Sequence, residues 1–382
     1  MIRQIGLIML ALLLVGGIAP AGEDAADDAP TAIERGRQAL TAGIDFLLRT
    51  QNEDGSWGYH AQIRPYAIYA PVPGAHHSFK VATSGLALMA LWGSERDDKA
   101  IKAARQKGVQ YLIKNARAKR SHGREMYCIW AFGYGLQALA RAIKSPCEGM
   151  DVAAARKMAG RLIEALGIYQ TADGGWSYLE FKAKTFKPSA TSMSFCTGMN
   201  LLALYEAREA GLTVPKKIIR KAVLSLHRCR TPEGAYLYSF NWRYHPNGRI
   251  NRHGGSLTRT PGNNLALYRL GHGIDLQELE KGVRMLLRKR RFARMALHRP
   301  VPHESWFSVS GYFYLFGYFY AGECCRLLPE ETVAEVRDGL IEEVLYVHYP
   351  DGSSWDYPFY GYDKPYGTAY SVLALQSLLL PK

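Results

Sequence analysis

The stretch QTADGGWSYLEF, residues 170–181, decides how the chain is read, because QNEDGSWGYH at residues 51–60 nearly repeats it. Both carry Gln-x-x-Asp-Gly-x-Trp, and Gln170 follows Gln51 by 119 positions. Each glutamine closes an amphipathic run. Before Gln51, the residues Ile33, Leu40, Ile44, Leu47 and Leu48 fall on one face at helical spacing; before Gln170, Val152, Ala155, Leu162, Leu166 and Tyr169 do the same. Asp-Gly is turn chemistry, since glycine takes positive φ without strain. Tryptophan brings a large apolar face and one donor, which suits a seam between hairpins. The Gln amide is placed to satisfy groups left open at helix ends. The motif therefore reads first as a staple between structural units.

The one-sided pattern recurs at Ile101, Ala104, Gly108, Tyr111 and Leu112, in residues 215–229, at Leu276, Leu279, Val283, Leu286 and Leu287, and from Val333 to Val347. The six runs close near positions 51, 115, 170, 230, 291 and 348, in steps of 64, 55, 60, 61 and 57. After each comes a loop and a second helix that is apolar on nearly every side: 82–91, 125–142, 190–207, 256–270, 310–328 and 368–380. A helix apolar all round is buried. The pattern predicts an all-α fold, an (α/α)6 toroid of six hairpins with apolar helices inside and amphipathic helices outside. An open solenoid would need polar caps, whereas the helix at 368–380 is among the most apolar. The expected organisation is one domain over 31–382, with units at about 31–95, 96–145, 150–210, 214–272, 274–329 and 331–380. The motif decays along the chain. Arg230-Thr-Pro-Glu233-Gly234-Ala-Tyr236 keeps it by analogous residues, and His348 to Trp355 reads as a copy with one inserted residue. The second and fifth loops lack it, although Trp306 remains in the fifth.

Residues 1–21 combine Arg3, an apolar run at 5–14 and Ala19-Pro20-Ala21, the marks of a cleaved signal peptide. The run is shorter than the ~20 residues a membrane span needs, so no stable span is expected after cleavage. Residues 22–30 read as a disordered acidic leader. The protein is thus expected to be exported, periplasmic or extracellular. A net charge of +14 favours acidic polymers or anionic surfaces as partners. No basic run accompanies a nucleic-acid motif; the densest, at 284–294, reads as a solvated helix end. Cys128, Cys196, Cys324 and Cys325 lie in apolar runs, as buried thiols do, while Cys147 and Cys229 lie near helix ends and are free to pair. No Cys-x-x-Cys spacing points to zinc, and no cofactor is called for.

The repeat resembles that of the squalene cyclase and protein prenyltransferase superfamily, and more closely that of exported bacterial prenyltransferase and squalene oxidase repeat proteins. The likeness runs from about residue 33 to 380. It is carried by QTADGGWSY with SATSMSFCTGMNLLALYEAREAGLTVP after it, and by HGREMYCIWAFGYGLQALARA. It implies an α/α toroid with a central cavity, which in the enzymes holds an isoprenoid. The catalytic groups of those enzymes do not carry over. The slot for the Asp-x-Asp-Asp-Thr acid of class II cyclases reads Lys187-Pro188-Ser189-Ala190-Thr191, and protonating a double bond needs a strong, positioned acid. Glu95-Arg96-Asp97-Asp98 precedes an outer helix, where Asp is an N-cap. The Asp-rich magnesium motif and the Gly-Cys-Gly-Glu-Gln thioester are absent, and Ser194 stands where the zinc-binding Asp of the prenyltransferases would precede Cys196.

Loops entering the inner helices share one end of the ring, and polar groups gather there. The candidates for acid–base work are Glu125, Glu304, Asp363, His77, His253 and His303. Those for ligand binding are Trp57, Tyr59, Trp176, Tyr178, Trp242, Trp306 and Tyr312, with Arg124 and Arg259 as cations. Polar groups converging on a concave, aromatic site make a binding site. Carboxylates there suit glycoside cleavage, and His or Tyr with Arg suits β-elimination. The partners this admits are an apolar, isoprenoid-like ligand or an acidic polysaccharide.

Overall fold

The computed structural model describes residues 29–61, 63, 74–120, 122–180, 188, 191–301, 308–358 and 360–381. The expected signal peptide and most of the leader fall outside these residues, as do His303, Glu304 and Trp306. Among the described residues no helix is long and apolar enough to cross a membrane. From Ala32 onward the chain forms one compact unit. Its helices are α1 (Ala32–Arg49), α2 (Ala75–Trp92), α3 (Lys99–Asn115), α4 (Cys128–Lys144), α5 (Val152–Ile168), α6 (Ser194–Glu209), α7 (Lys216–Cys229), α8 (His253–Ser256), α9 (Thr260–Arg269), α10 (Leu276–Arg288), α11 (Arg290–Leu297), α12 (Tyr314–Cys325), α13 (Glu330–Leu345) and α14 (Asp363–Leu379).

The fold is the (α/α)6 toroid that the apolar patterning predicts. The inner helices α2, α4, α6, α9, α12 and α14 each pack on the next, and α14 returns to α2. Around them α1, α3, α5, α7, α10 and α13 bury one stripe each. Chain order and spatial pairing differ by half a unit. Four of the inner helices pack chiefly on the outer helix that follows them, α2 on α3, α4 on α5, α6 on α7 and α9 on α10, and α14 packs in the same way on α1.

The repeated motif explains the pairing, though its parts divide the labour differently from the expectation. Tryptophan, not glutamine, serves its own helix end: Trp57 Nε1 donates to Leu47 O at 2.7 Å and Trp176 Nε1 to Leu166 O at 2.8 Å. Glutamine reaches onward. Gln51 Nε2 donates to Gly55 O and to Ala104 O in α3, at 3.1 and 3.0 Å; Gln170 Nε2 donates to Gly174 O and Ile218 O in α7, at 2.6 and 2.9 Å. The turn then closes on the next outer helix so tightly that only glycine fits. A Cβ on Gly55 would stand 2.3 Å from Lys107 O, one on Gly174 2.6 Å from Lys221 O, and all three turn glycines of this kind have positive φ. The third is Gly352, whose Cβ would stand 2.6 Å from Ala42 O in α1. The last turn therefore grips the first helix as the other two grip their successors, and the ring closes by its own repeat. Two further contacts secure this seam: Gln376 Nε2 donates to Ala90 O at 2.8 Å, and Arg35 pairs with Glu342.

At the sixth copy no residue is inserted. His348 pairs with Ser354 across the turn just as Gln51 does with Trp57 and Arg230 with Tyr236. Serine stands in the tryptophan slot, and Trp355 follows it. In the second loop, which lacks the motif, the backbone near Glu125 pairs with Leu179. The fifth unit is tied by charge instead. Arg294 and Arg290 reach Glu343 on α13 at 2.6 and 3.2 Å, and Arg284 reaches Glu335 at 2.8 Å. The basic run at 284–294 is thus an ion-paired seam as well as a solvated face. None of the six cysteines forms a disulfide, and Cys229 is fully buried.

Replacing Gly352 with Ala should destabilise the protein by at least about 1–3 kcal/mol from backbone strain alone, whereas Ala at Gly254, which has nothing within 4 Å of its Cβ position, should be close to neutral. Urea unfolding of the two variants checks this; equal effects would mean that the turn does not grip α1.

Candidate functional site in the ring mouth

The N-terminal ends of the inner helices form the mouth. Aromatic side chains make a closed circuit around it. Phe79 of α2 lies 4.6 Å (centroid to centroid) from Tyr127, and Tyr127 lies 5.7 Å from Tyr178. The hydroxyls of Tyr178 and Tyr238 meet at 2.6 Å. Tyr238 touches Phe313, Phe313 touches Phe316, and Phe316 touches Tyr370 of α14. Tyr370 lies 5.9 Å from Tyr366, Tyr366 packs against the Tyr360–Tyr362 pair, and Tyr362 stacks on Phe79 at 5.1 Å. Phe79, Trp130, Tyr178, Tyr312 and Tyr366, in and beside this circuit, are half-buried and keep part of an apolar ring accessible.

Several expected residues take structural posts instead. Trp57 and Trp176 are fully buried in the seams, where each indole must meet a carbonyl, so neither can serve as a ligand platform. Arg259 is likewise buried, donating to Gly255 O at 2.6 Å, to Tyr236 O at 3.0 Å and to Ile250 O. Burial pushes its guanidinium down to about 10. It pins the fourth loop and packs on the Tyr238 ring at 5.4 Å; it does not reach for a ligand. Glu125 is buried with Oε2 accepting from Tyr127 N at 3.1 Å, and Asp363 is buried with Oδ2 accepting from Tyr360 N at 2.8 Å. Both hold backbone at the mouth. His253 lies 4.0 Å from Glu233 on the outer side of the fourth turn. Arg124 is half-buried beside the Glu125–Leu179 pair.

Tyr59 and His77 do come together. With His60, His76, Lys80 and Tyr362 they line a cavity of about 350 Å³ beside the mouth. Burial, and then His60, lowers the His76 imidazole, so that it is neutral near pH 7. Among the described residues no group of three His, Cys, Asp or Glu is placed to hold a metal ion. Tyr178 and Tyr312 face the mouth, and Trp242, 38% exposed, stands on the fourth loop at its rim.

The most telling group is one the motif reading passes over. Counted from the residue that opens each turn, the eighth position onward is Tyr59, Tyr178, Tyr238 and, in the sixth copy, Asp356. Where the other copies aim a tyrosine, this one buries a carboxylate. Its Oδ1 accepts from Tyr357 N at 2.7 Å and from the Tyr366 hydroxyl at 3.0 Å, and Oδ2 accepts from Leu315 N at 3.2 Å in the first turn of α12. Burial outweighs these three donors and raises the carboxyl to about 6. Tyr366 is half-buried at the mouth, and its hydroxyl rests on Asp356; burial first, and then the neighbouring Asp356, hold the phenol well above its ordinary value, so it stays protonated. Aligning the copies by position, with Ser354 in the tryptophan slot, is the signal that finds this residue.

No protein-family model matches the chain. Its fold is shared by solved structures. The type II terpene cyclase MstE from Scytonema is 15% identical at a TM-score of 0.53, over 90% of this chain and 98% of its own. An unsaturated glucuronyl hydrolase from Bacillus sp. GL1, responsible for the degradation of glycosaminoglycan, is 15% identical at 0.54, over 89% and 96%. A sugar epimerase from a ruminal bacterium is 14% identical at 0.55, over 92% and 100%. At such identities the likeness is one of scaffold, and function rests on the site.

The raised carboxyl has a stability signature. Below the ordinary carboxylate value of 3.8, Asp356 is protonated whether folded or not and contributes no slope. As pH rises toward 6 the unfolded chain ionises first, so stability falls, by on the order of 3 kcal/mol in all. Comparing thermal midpoints from pH ~4 to ~7, Asp356→Asn should lack this part of the fall; an unchanged slope would place the titration elsewhere.

Proposed function

We propose that this protein is an exported carbohydrate-active toroid, which takes an acidic polysaccharide chain end into its aromatic mouth and cleaves it by proton transfer through Tyr366 and Asp356. The observation that carries the reading is the contact at the mouth between half-buried Tyr366, whose hydroxyl donates at 3.0 Å, and the buried carboxylate of Asp356, which burial raises to about 6. A group with that value moves protons well at neutral pH but is too weak an acid to protonate a carbon–carbon double bond. It therefore does not replace the missing cyclase acid. When Asp356 is ionised, the Tyr366 hydroxyl donates to it, and the phenol oxygen keeps a lone pair with which to accept a proton. A proton from a sugar carbon or an attacking water would pass to the Tyr366 oxygen as the phenol proton passes to Asp356, the general-base step that glycosidase and lyase chemistry share.

Other features agree. Aromatic faces suit the C–H faces of sugar rings. At the rim the fourth loop exposes Trp242 and Tyr244, with the Arg243 guanidinium over the Tyr244 ring at 4.2 Å. Its basic residues and the net charge of +14 suit an acidic chain. Sugar-directed proteins, the epimerase and the glucuronyl hydrolase, share the scaffold.

A second reading is supported by the aromatic circuit itself, whose rings form an apolar wall fit for an isoprenoid-like ligand; lipid carried by protein purified from its own host, seen by native mass spectrometry, would favour it. For the first reading, uronic-acid polymers are assayed for new reducing ends and for unsaturated products. Turnover should show a limb near pH 6, and Tyr366→Phe and Asp356→Asn should each lower it by roughly 10²-fold or more with the fold intact by circular dichroism. Turnover that survives both substitutions would discard the assignment.

A further inference from the structure

The opposite end of the ring, where the inner helices finish, holds a cavity of about 310 Å³. That lies at the small end of the range for ligand pockets, roughly 300–1,000 Å³, and exceeds what a few trapped waters at ~30 Å³ each would fill. Its floor is apolar, built from Ala140, Leu202, Leu265 and Phe319. Two polar atoms interrupt this floor. Gln137 Nε2 and the Tyr320 hydroxyl are both buried and both belong to lining residues; they lie close to each other, and the Tyr320 hydroxyl lies close to Tyr134, but neither atom forms a hydrogen bond of good geometry. Native interiors leave few such groups, because each forfeits the hydrogen bonds it had in water.

The walls carry charge of both signs in balance. Arg141 is held by Glu206 through two contacts, Nε to Oε2 at 2.9 Å and Nη2 to Oε1 at 3.1 Å. Glu323 accepts from Ser377 Oγ at 2.7 Å through Oε1. Arg269 lies over the Tyr205 ring at 5.6 Å. Lys144 and Glu209 stand exposed at the opening. Three cations thus face three carboxylates, and a ligand with net charge gains little from the set. Hydroxyl groups gain from all of it: they donate to the carboxylates, accept from the guanidinium groups and from Gln137 Nε2, and exchange a bond with Tyr320. The rings of Phe319 and Tyr205 offer faces to an alicyclic body.

We infer that this far-end cup is a second binding site, for an uncharged sugar or cyclic polyol of about one or two rings. It is independent of the mouth, which is lined by other residues at the other end of the inner helices, and of the function proposed for it.

The test uses the full chain and D-glucose, D-galactose, D-mannose, N-acetyl-D-glucosamine and myo-inositol as probes, with L-glutamine as the zwitterionic control, read by saturation-transfer NMR and calorimetry. At least one neutral probe should bind with a dissociation constant on the order of 1 mM or tighter. Gln137→Leu and Glu323→Gln should each weaken it about tenfold or more, while Asp356→Asn leaves it unchanged. Gln137→Leu should nearly keep the thermal midpoint, since the buried donor it removes is poorly bonded, so its loss of binding is not a loss of fold. The inference is overturned if no neutral probe binds, if only L-glutamine binds, if binding survives both cup substitutions, or if it is lost with Asp356→Asn instead. A failed polysaccharide assay at the mouth leaves these outcomes as they stand.

Discussion

Three of the steps between units in this toroid, the one that closes the ring among them, depend on a backbone carbonyl pressed against a glycine. At Gly55, Gly174 and Gly352 the turn approaches the next outer helix more closely than a Cβ allows, and the left-handed backbone there is one that only glycine adopts cheaply. The close approach sets the distance between neighbouring units. It lets Gln51 and Gln170 reach across to the same helix, and it buries Trp57 and Trp176 over the seam. Repeated around a ring, a fixed step between units becomes a fixed curvature, and the curvature is what leaves a mouth to be lined.

Where the glycine device is missing, other forces hold the step. The fourth copy keeps the turn with Gly234 and an ion pair from Arg230 to Glu278 on α10. The fifth relies on buried Glu343, which receives Arg294 and Arg290 from one side and the Tyr314 hydroxyl at 2.8 Å from the other. A buried carboxylate held by two guanidinium groups is costly to desolvate and costly to break, so this unit is fastened by charge where its neighbours are fastened by shape.

The fold was legible because its signals are local and periodic: one-sided helices, all-apolar helices and a turn that recurs at a near-constant step. The site was legible only in part. The motif placed Trp57 and Trp176 in a seam and residue type also offered them as ligand faces; the carbonyls of Leu47 and Leu166, which decide for the seam, belong to the folded chain. Arg259 and Glu125 are polar residues at the right end of the ring, yet the irregular loops there need donors and acceptors for their own backbone, and that need absorbs them. Asp356 escaped for a different reason. Ser354 in place of tryptophan, with Trp355 beside it, mimics an inserted residue, and only the backbone pairing of His348 with Ser354 restores the count. The far-end cup left no trace in the motifs at all, since its residues come from the last turns of four separate helices.

The half-unit offset between chain order and spatial pairing has a consequence of its own. Each of α2, α4, α6 and α9 is joined by a short connection to the outer helix it packs on, but α14 and its partner α1 lie at opposite ends of the described sequence. Here the ring is completed by a contact between segments that the polypeptide does not link directly, so its last act of assembly must await nearly the whole chain. A circular permutant in which α1 follows α14 would turn that distant handshake into an ordinary neighbouring hairpin, converting the slowest loop to close into one of the quickest.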